Sequence, residues 1–273
     1  MFPRLGYGIG LRPPHFQAVL DGRGAVDWFE VITENFFGAG GNPLHVLRAV
    51  RERSPVVLHG VSLSIGAVDP LDERYLDALA RLVAAIDPAM VSDHLCWSSF
   101  GGHTAHDLWT IPYTEAALDH VVERVARVQD RLGRRILLEN PSSYVEFRAN
   151  ELAEPAFLAE VANRADCGIV LDVNNVYVSA RNHGFDPDAY LAAIPADRVG
   201  YMHLAGHTDH GDYILDTHDH AVPDAVWQLY QSAVRRFGSA SVLVEWDDQI
   251  PALDDVVAEA NRARREAQAV RRG

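Results

Sequence analysis

Short runs of apolar and β-branched residues recur along the chain, separated by longer segments in which apolar residues return every three to four positions. The short runs cover residues 5–9, 28–33, 56–59, 90–95, 136–139, 168–173, 199–204 and 242–246. Continuous apolar runs of this length are typical of parallel strands that are buried on both faces. The pattern therefore predicts eight parallel strands.

The segments between these runs have the apolar spacing of amphipathic helices. They cover residues 71–86, 114–132, 223–237 and 253–267, with shorter ones at 14–20, 43–51, 155–163 and 187–194. In the first of them, Leu76, Leu79 and Leu82 share one helical face. Strands that alternate with helices in this number over about 250 residues predict an α/β protein with the (β/α)8 TIM-barrel fold.

Three further features complete the fold prediction. A doubly wound sheet usually has fewer strands and a glycine-rich dinucleotide turn, which this chain lacks. The alternation of Gly6, Gly8 and Gly10 is interpreted as close packing of the first strand rather than as a phosphate loop. Because no linker interrupts the pattern, residues 1–273 are predicted to form a single domain, with the Arg-rich residues 262–273 as a solvated helix end that frays.

Ionisable side chains stand at the carboxyl ends of the predicted strands, where TIM barrels carry their chemistry. These residues are His59, His94, Glu139, Asp172, His203 and Glu245, with Asn175 shortly after Asp172 and with Glu30 and Glu34 around the second strand. Buried carboxylates around one axis would repel each other unless cations compensate them, so the pattern favours bound metal ions. Asp216 and His218, two positions apart in a segment expected to be extended, are placed to chelate one of them.

The donor set is made of imidazoles and carboxylates, which suit iron, manganese or catalytic zinc. Cys96 and Cys167 have no partner at metal-site spacing, so a structural zinc site is not expected. The donors outnumber what one ion uses, which predicts two or three ions, with Glu139 as a bridge. Five further loop histidines are expected to be neighbours of ligands or to face solvent: His106, His183, His207, His210 and His220.

The amino-acid composition excludes or disfavours several classes of function. The chain has 38 acidic and 24 basic residues, a net charge of −14, which disfavours a nucleic-acid partner. All 24 basic residues are arginine, so lysine Schiff-base chemistry and Walker-type phosphate loops are excluded. The start of the chain lacks a secretory pattern, and no apolar run reaches the ~20 residues of a membrane span. We therefore expect a cytoplasmic protein without a membrane partner.

Several motifs, taken together, resemble one known family. They are LHGVSLSIG (58–66), SDHLCW (92–97), LENP (138–141), LDVNN (171–175), NHGFD (182–186), HLAGH (203–207), DTH (216–218) and VEW (244–246). The chain resembles the multinuclear non-haem iron-dependent oxidative enzymes, formerly domain-of-unknown-function family 692, which include methanobactin- and bufferin-type maturation enzymes. The likeness runs from about Leu5 to Ala260.

This resemblance implies a TIM barrel with two or three iron ions of mixed ferrous and ferric state, although zinc or manganese stays possible. It implies that dioxygen is the co-substrate in the oxidation of cysteines in a ribosomally made precursor peptide. A partner protein that recruits the precursor is implied as well. Glu139, Asp172 and His203 would then be the catalytic residues, and Asp93, Asn140 and His207 would orient the ligands.

The order of ligands is also similar to that of the endonuclease IV group, a zinc-dependent barrel. By that likeness His59, His94 and Glu139 would hold a first ion, which Glu139 would bridge to a second. The second would also be held by Asp172, His203 and Glu245, and a third by Asp216 and His218. That group has a histidine where this chain has Asn175, a weaker ligand, so the third ion is expected to be held loosely.

Two other functional classes stay open at this stage. One is a metal-dependent hydrolase or isomerase acting on a sugar or phosphate, which would need no dioxygen. The other is a metal-binding or scaffold protein without catalytic activity. Consumption of dioxygen separates the oxidase from the first of these alternatives.

Overall fold

The computed structural model describes residues 2–38 and 40–272, and in that part of the chain eight parallel strands close into a barrel. The strands are β1 (Tyr7–Gly10), β2 (Trp28–Ile32), β3 (Val56–Gly60), β4 (Met90–His94), β5 (Trp97–Phe100), β6 (His103–Trp109), β7 (Leu137–Glu139), β8 (Gly168–Asp172), β9 (Val199–Leu204), β10 (Thr208–Asp209), β11 (Ile214–Leu215) and β12 (Ser241–Val244). The barrel order is β1-β2-β3-β4-β7-β8-β9-β12, closed by pairing of β12 with β1. The predicted single-domain TIM barrel is therefore confirmed.

Helices connect the strands. They are α1 (Phe16–Leu20), α2 (Asn42–Arg51), α3 (Glu73–Ile86), α4 (Glu115–Leu132), α5 (Glu154–Arg164), α6 (Val173–His183), α7 (Pro187–Ala193), α8 (Asp224–Phe237) and α9 (Leu253–Arg272), with short 3-10 turns at Pro13–His15 and Thr33–Phe36. Eight of these helices coincide with predicted segments, and α6 was not predicted. It begins directly after β8, where the Asp172 side chain accepts a hydrogen bond from the backbone N–H of Asn175 and caps the helix.

The lower half of the barrel interior is apolar. Because side chains alternate along each strand, every second residue points inward. The inward residues of this layer pack as one cluster with Phe2 and Leu5 from the start of the chain: Trp28, Val57, Met90, Leu137, Val170, Tyr201 and Leu243. Trp28 and Tyr201 meet edge to face, with ring centroids 5.5 Å apart.

Gly8 is required by this packing. A Cβ atom there would lie 2.6 Å from the indole ring of Trp28 and 2.7 Å from its carbonyl oxygen. Such distances are shorter than van der Waals contact, so the indole fills the space that a side chain on β1 would occupy. The interpretation of the early glycines as a close-packing device holds at this position.

Residues 262–272 belong to helix α9, and the expected fraying of this helix end stays a prediction. Helix α9 continues to Arg272, because its buried stripe extends through Ala263 and Ala267, both 0% exposed. Two of its partly exposed arginines pair with carboxylates elsewhere in the chain. Arg262 lies 3.0 Å from Asp224, and Arg264 lies 2.8 Å from Asp27.

Among the described residues, no helix has both the length and the apolar character needed to cross a bilayer.

Glu154, the first residue of α5, gives a prediction for stability. Its Oε1 accepts a hydrogen bond of 2.6 Å from the Tyr190 hydroxyl, and burial raises its pKa to about 7. Between its ordinary value of 4.5 and about 7, the folded state keeps a proton that the unfolded state has lost. The stability should therefore fall as pH rises through this window. In Glu154→Gln this fall should be smaller than in the wild type, as measured by urea unfolding at pH 4.5, 6 and 7.5, and the part that remains comes from other raised carboxylates such as Asp172 and Glu245. An identical fall in the variant would contradict the assignment.

Candidate metal centre

Polar residues occupy the inward positions directly above the apolar layer. Two residues after that layer the strands carry Glu30, His59, Ser92, Glu139, Asp172, His203 and Glu245, and His94 follows Ser92 by two more. Each of these eight residues is at most 8% exposed. The same alternation that builds the core therefore directs these side chains to the carboxyl-terminal half of the barrel.

His59, His94 and Glu139 form the first group of donors. The Nε2 atoms of His59 and His94 lie 3.2 and 3.6 Å from the same Glu139 oxygen, Oε2. Nδ1 of His94 lies 3.1 Å from the carbonyl oxygen of Gly60, which only accepts hydrogen bonds. Neutral His94 therefore carries its proton on Nδ1 and a lone pair on Nε2. Nδ1 of His59 contacts Ser92 Oγ at 2.9 Å, which orients that ring.

His203 is fully buried and contacts carboxylates on both sides of its ring. Its Nε2 lies 3.0 Å from Glu30, and its Nδ1 lies 3.3 Å from Glu139 and 3.2 Å from Glu245. Asp172 is 3.9 Å from Nδ1. These residues form two overlapping donor groups, Glu30–His203–Glu245 and Glu139–Asp172–His203. Glu139 thus belongs both to the first group and to this one, in the position that a bridging ligand would have.

His218 supplies the fourth group, together with Asp172 and Glu245. Its Nε2 lies 2.7 Å from Asp216 Oδ1, and its Nδ1 lies 3.4 Å from Glu245 and 3.1 Å from Asp247. The segment is not extended as predicted, because His218 has a φ of 48°. A left-handed turn, rather than strand alternation, brings the Asp216 and His218 side chains together.

Asn175 lies next to this group on the first turn of α6. Its Nδ2 donates to the carbonyl oxygen of Asn140 at 3.0 Å, which fixes the orientation of the amide. Its Oδ1 is buried and has no hydrogen-bond partner among the described residues. The amide oxygen is therefore available as a weak neutral donor.

Burial and neighbouring charges shift the pKa values of the cluster in opposite directions. Burial lowers the pKa of His59 to about 4. Burial and the charge of Glu139 raise the pKa of Asp172 to about 7, and burial and Asp247 raise that of Glu245 to about 8. Burial would lower the pKa of His203, but Glu30 and the other carboxylates outweigh it and raise that pKa well above its ordinary value. The charges are thus not balanced by the side chains alone.

Metal ions fit this cluster. Glu139 Oε2 and Asp172 Oδ2 are buried without a hydrogen-bond partner among residues 2–38 and 40–272. An unsatisfied buried oxygen is costly, and a cation coordinated by it would remove the cost. Nitrogen and oxygen donors without thiolate suit iron, manganese or zinc. Cys96 and Cys167 are buried and free, and neither occurs in the donor groups of the described residues.

The three residues expected to orient the ligands contact the backbone of a ligand or a neighbouring side chain, and none of their side chains contacts the side chain of a ligand directly in the hydrogen bonds of the described residues. Asn140 exchanges two hydrogen bonds with the backbone of Asp172, at 2.9 and 3.0 Å. Asp93 accepts from the backbone N–H groups of His94 and Leu63, so it holds the loop rather than the imidazole. His207 contacts Asn174 at 2.7 Å, and Asn174 donates to Asp216 at 2.7 Å.

Glu30, Arg12 and Asp247 are part of the cluster although the sequence pattern did not assign them to a site. Glu30 faces inward two residues after Trp28, a signal that strand alternation could have given. Arg12 is 5% exposed and donates to Glu245 at 3.2 Å and to Asp247 at 2.5 Å. Arg12 lies in a loop just before the Pro13–His15 turn. The periodicity of strands and helices, which predicts buried positions elsewhere, does not extend to this loop. Glu34 instead accepts from the backbone N–H groups of Val61 and Ser62.

The remaining loop histidines are outside the donor groups of the described residues. His183 contacts the Ser143 carbonyl oxygen at 2.9 Å, His210 stacks on Tyr213, and His220 pairs with Asp219. The side chain of His106 lies outside the described part of the structure.

A cavity of about 200 Å³ leads to the cluster. It is lined by His59, His94, Asn175, His218 and Glu245 at its inner end, and by Asp107, Leu108, Ser142, Tyr144 and Thr217 among its other residues. This volume holds one or two side chains rather than a folded domain. A large substrate must therefore lie across the mouth and insert a side chain.

The closed barrel and the buried cluster define a TIM-barrel protein with a candidate multinuclear metal centre. Residues 6–268 match the family described as "RiPP precursor modification enzyme MbnB/TglH/ChrH". The chain belongs to this family, whose members modify the precursors of ribosomally made, post-translationally modified peptides. The substrates of this family are therefore precursor peptides.

The chain is also similar in sequence to curated relatives and similar in fold to solved structures. The UPF0276 protein of Anaeromyxobacter sp. (strain Fw109-5) is 64% identical over 95% of this chain and 92% of its own length. A UPF0276 protein of Caulobacter vibrioides is 54% identical over 98% and 96%. Endonuclease IV from Thermus thermophilus is 18% identical, with a TM-score of 0.60 and coverage of 98% and 99%. An L-ribulose 3-epimerase is 13% identical, with a TM-score of 0.65 and coverage of 97% and 95%. These two structures share the fold with this chain.

Proposed function

We propose that this protein is a multinuclear non-haem iron enzyme that uses dioxygen to oxidise cysteine residues of a ribosomally made precursor peptide. His59, His94, Glu139, Asp172, Asn175, His203, Asp216, His218 and Glu245 are the proposed metal ligands, and Glu139, Asp172 and His203 also act at the reacting centre. Glu30 joins the set on the geometry described above. A separate partner protein recruits the precursor.

The observation that carries this proposal is the overlap of the donor groups. Glu139 is shared between the His59–His94 pair and His203, while Asp172 and Glu245 are shared between His203 and His218. Shared carboxylates would hold neighbouring cations close together, which suits an enzyme that accumulates several oxidising equivalents. The absence of thiolates from these groups, in the described part of the chain, favours an oxygen-tolerant nitrogen and oxygen site.

The protein's own residues bind and orient the reacting groups. When bound, iron supplies the one-electron redox chemistry and the binding of dioxygen that amino acids lack. His94 Nδ1 donates to the carbonyl oxygen of Gly60, and His59 Nδ1 shares a hydrogen bond with Ser92 Oγ. These bonds fix the two rings so that their Nε2 atoms point into the cluster. The narrow cavity admits the cysteine side chain and limits the access of water. Ser142 and Tyr144 lie at its wall, joined by a 3.0 Å hydrogen bond.

The test uses protein purified without air, loaded with ferrous iron and mixed with a peptide containing one cysteine from a precursor encoded beside a relative of this chain. The expected result is consumption of dioxygen in proportion to a mass change at the cysteine, with no reaction for the same peptide carrying serine. Activity of zinc- or manganese-loaded protein on sugars or phosphates without dioxygen would replace the proposal with the hydrolase or isomerase alternative.

A further inference from the structure

The guanidinium of Arg12 fills a gap in the polar layer of the barrel interior. Gly10 stands in β1 two residues after Gly8, whose missing side chain is replaced by the indole of Trp28, so Gly10 faces inward as well. It pairs with Glu30, which belongs to the polar layer. A Cβ atom on Gly10 would lie 3.0 Å from Cζ of Arg12 and 3.1 Å from its Nη1. The arginine of the following loop therefore occupies the space that β1 leaves empty.

Three hydrogen bonds hold this guanidinium in place. Its Nε donates to the carbonyl oxygen of Trp246 at 2.8 Å. Its Nη2 donates to Glu245 Oε1 at 3.2 Å and to Asp247 Oδ1 at 2.5 Å. All three acceptors belong to the segment that directly follows β12. Because a guanidinium is planar and its donors have a fixed geometry, these contacts fix the position of the segment and the orientation of both carboxylates.

Each of the two carboxylates contacts Arg12 with one oxygen and a histidine with the other. Asp247 Oδ2 lies 3.1 Å from Nδ1 of His218. Glu245 Oε2 lies 3.4 Å from the same nitrogen and 3.2 Å from Nδ1 of His203. Because Arg12 holds Oε1 of Glu245, the oxygen that this residue presents to the donor groups is Oε2. Arg12 thus determines which atom of Glu245 is offered to an ion.

The contact with Asp247 also orients His218. A histidine that binds a metal through one ring nitrogen commonly donates the N–H of the other to a carboxylate, and Asp247 is placed to accept from Nδ1. The opposite nitrogen, Nε2, is buried and has no hydrogen-bond partner among residues 2–38 and 40–272. It lies 2.7 Å from Asp216 Oδ1. Nε2 and this oxygen are therefore placed as two donors to one cation.

From these contacts we infer that Arg12 is a positioning residue that gives the His218 donor group its geometry. It acts through Glu245 and Asp247 and binds no ion itself. Arginine suits this role because it stays charged when buried and donates from two nitrogens along one edge, whereas lysine offers a single point charge. The inference rests on the proposed function for the presence of metal ions, and it holds for any of the metals that suit the donor set.

The test counts the ions bound by the full chain and by three variants. Arg12→Gln removes the charge and keeps most of the side chain. His218→Ala removes the residue on which Arg12 is inferred to act, and the double variant combines the two changes. Each protein is purified without air, freed of metal and titrated with ferrous iron. Elemental analysis after removal of unbound iron then gives the number of ions per chain.

Arg124→Gln is the matched control, because it makes the same chemical change at another buried arginine. Arg124 is 8% exposed, and its Nη1 and Nη2 donate to the carbonyl oxygens of Asp69 and Ser64 at 2.6 and 3.1 Å. None of these residues occurs in the donor groups of the described part of the chain. Arg124→Gln should therefore bind as many ions as the wild type.

We expect Arg12→Gln to bind one ion fewer than the wild type when the other sites are filled. The affinity for the last ion should fall about 10- to 100-fold, which is the usual effect of losing a residue that orients a ligand. His218→Ala should lose the same ion. The double variant should lose no more than His218→Ala alone, because Arg12 acts through the group that is already absent.

Three results would overturn the inference. The first is a wild-type number of ions, bound with wild-type affinity, in Arg12→Gln. The second is the loss of a further ion in the double variant, which would mean that Arg12 acts outside the His218 group. The third is an equal loss in Arg124→Gln, which would mean that removal of any buried arginine disturbs the centre.

The two proposals fail in different ways. If the wild type binds zinc or manganese that iron cannot replace, and Arg12→Gln loses one of those ions, the proposed function fails and the role of Arg12 stands. If the wild type binds two or three iron ions and Arg12→Gln keeps them all, the role of Arg12 fails and the proposed function stands. A wild type that binds no ion would overturn both.

Discussion

Glu139→Gln should lose metal binding and all oxidation of peptide cysteine. The Glu139 carboxylate faces His59, His94 and His203 at 3.2 to 3.6 Å, and it joins the donor group of the first two histidines to that of the third. An amide has nearly the same shape but lacks the charge that would offset a cation. Because outer-sphere changes alone cost about 10- to 100-fold in metal affinity, we expect more than 100-fold here.

The measurement is metal affinity by titration with ferrous iron, together with the rise in melting temperature on metal addition. The wild type should be stabilised by its ions, since a ligand that binds only the folded state raises stability by mass action. Glu139→Gln should show almost no rise. Glu154→Gln is the matched control, since it makes the same chemical change outside the cluster. Wild-type affinity in Glu139→Gln would remove Glu139 from the centre.

Trp28→Ala should cause the largest loss of stability of the substitutions considered. Trp28 is 0% exposed, fills the lower barrel, and replaces the missing side chain of Gly8 in the packing. Truncation of a buried tryptophan costs about 3–5 kcal/mol, because the surrounding strands cannot collapse into the cavity. In a domain of this size that corresponds to a fall in melting temperature on the order of 10 °C.

Urea unfolding of the metal-free proteins measures this effect without a contribution from bound ions. Trp109→Ala serves as the control, because Trp109 is 39% exposed on the hairpin of β5 and β6 and its loss should cost less than about 1 kcal/mol. If Trp28→Ala costs no more than Trp109→Ala, the lower layer does not pack around the indole in the way described.

The barrel was predictable because burial on both faces leaves a strong signal. Each barrel strand is covered by helices outside and by the core inside, so nearly every residue of runs such as 168–172 is apolar. The two hairpins lie on the surface and are short, and their mixed sequences resemble loops. Helix α6 was missed because Val173, Asn174 and Asn175 favour other conformations, and only the cap from Asp172 and the tertiary packing make it helical.

The candidate site was predictable where it follows strand alternation and not elsewhere. His59, Glu139, Asp172, His203 and Glu245 end their strands, and the structure brings all of them into overlapping groups. His218 reaches the cluster because its own backbone is in the left-handed conformation. Arg12 reaches the cluster because of the path of the loop that carries it. Neither leaves a periodic trace in the sequence. Which ions bind is a property of the donor set and of metal supply, so the metal assignment stays a prediction.

The presence of a multinuclear iron centre is decided by the metal content of protein purified without air, together with Mössbauer spectra of the iron-loaded form. We expect about two to three iron ions per chain, because the donor groups overlap and no single ion can use them all. Part of this iron should appear as a magnetically coupled mixed-valence pair, which Glu139→Gln abolishes. Stoichiometric zinc or manganese that iron cannot replace, or a single isolated iron per chain, would contradict it.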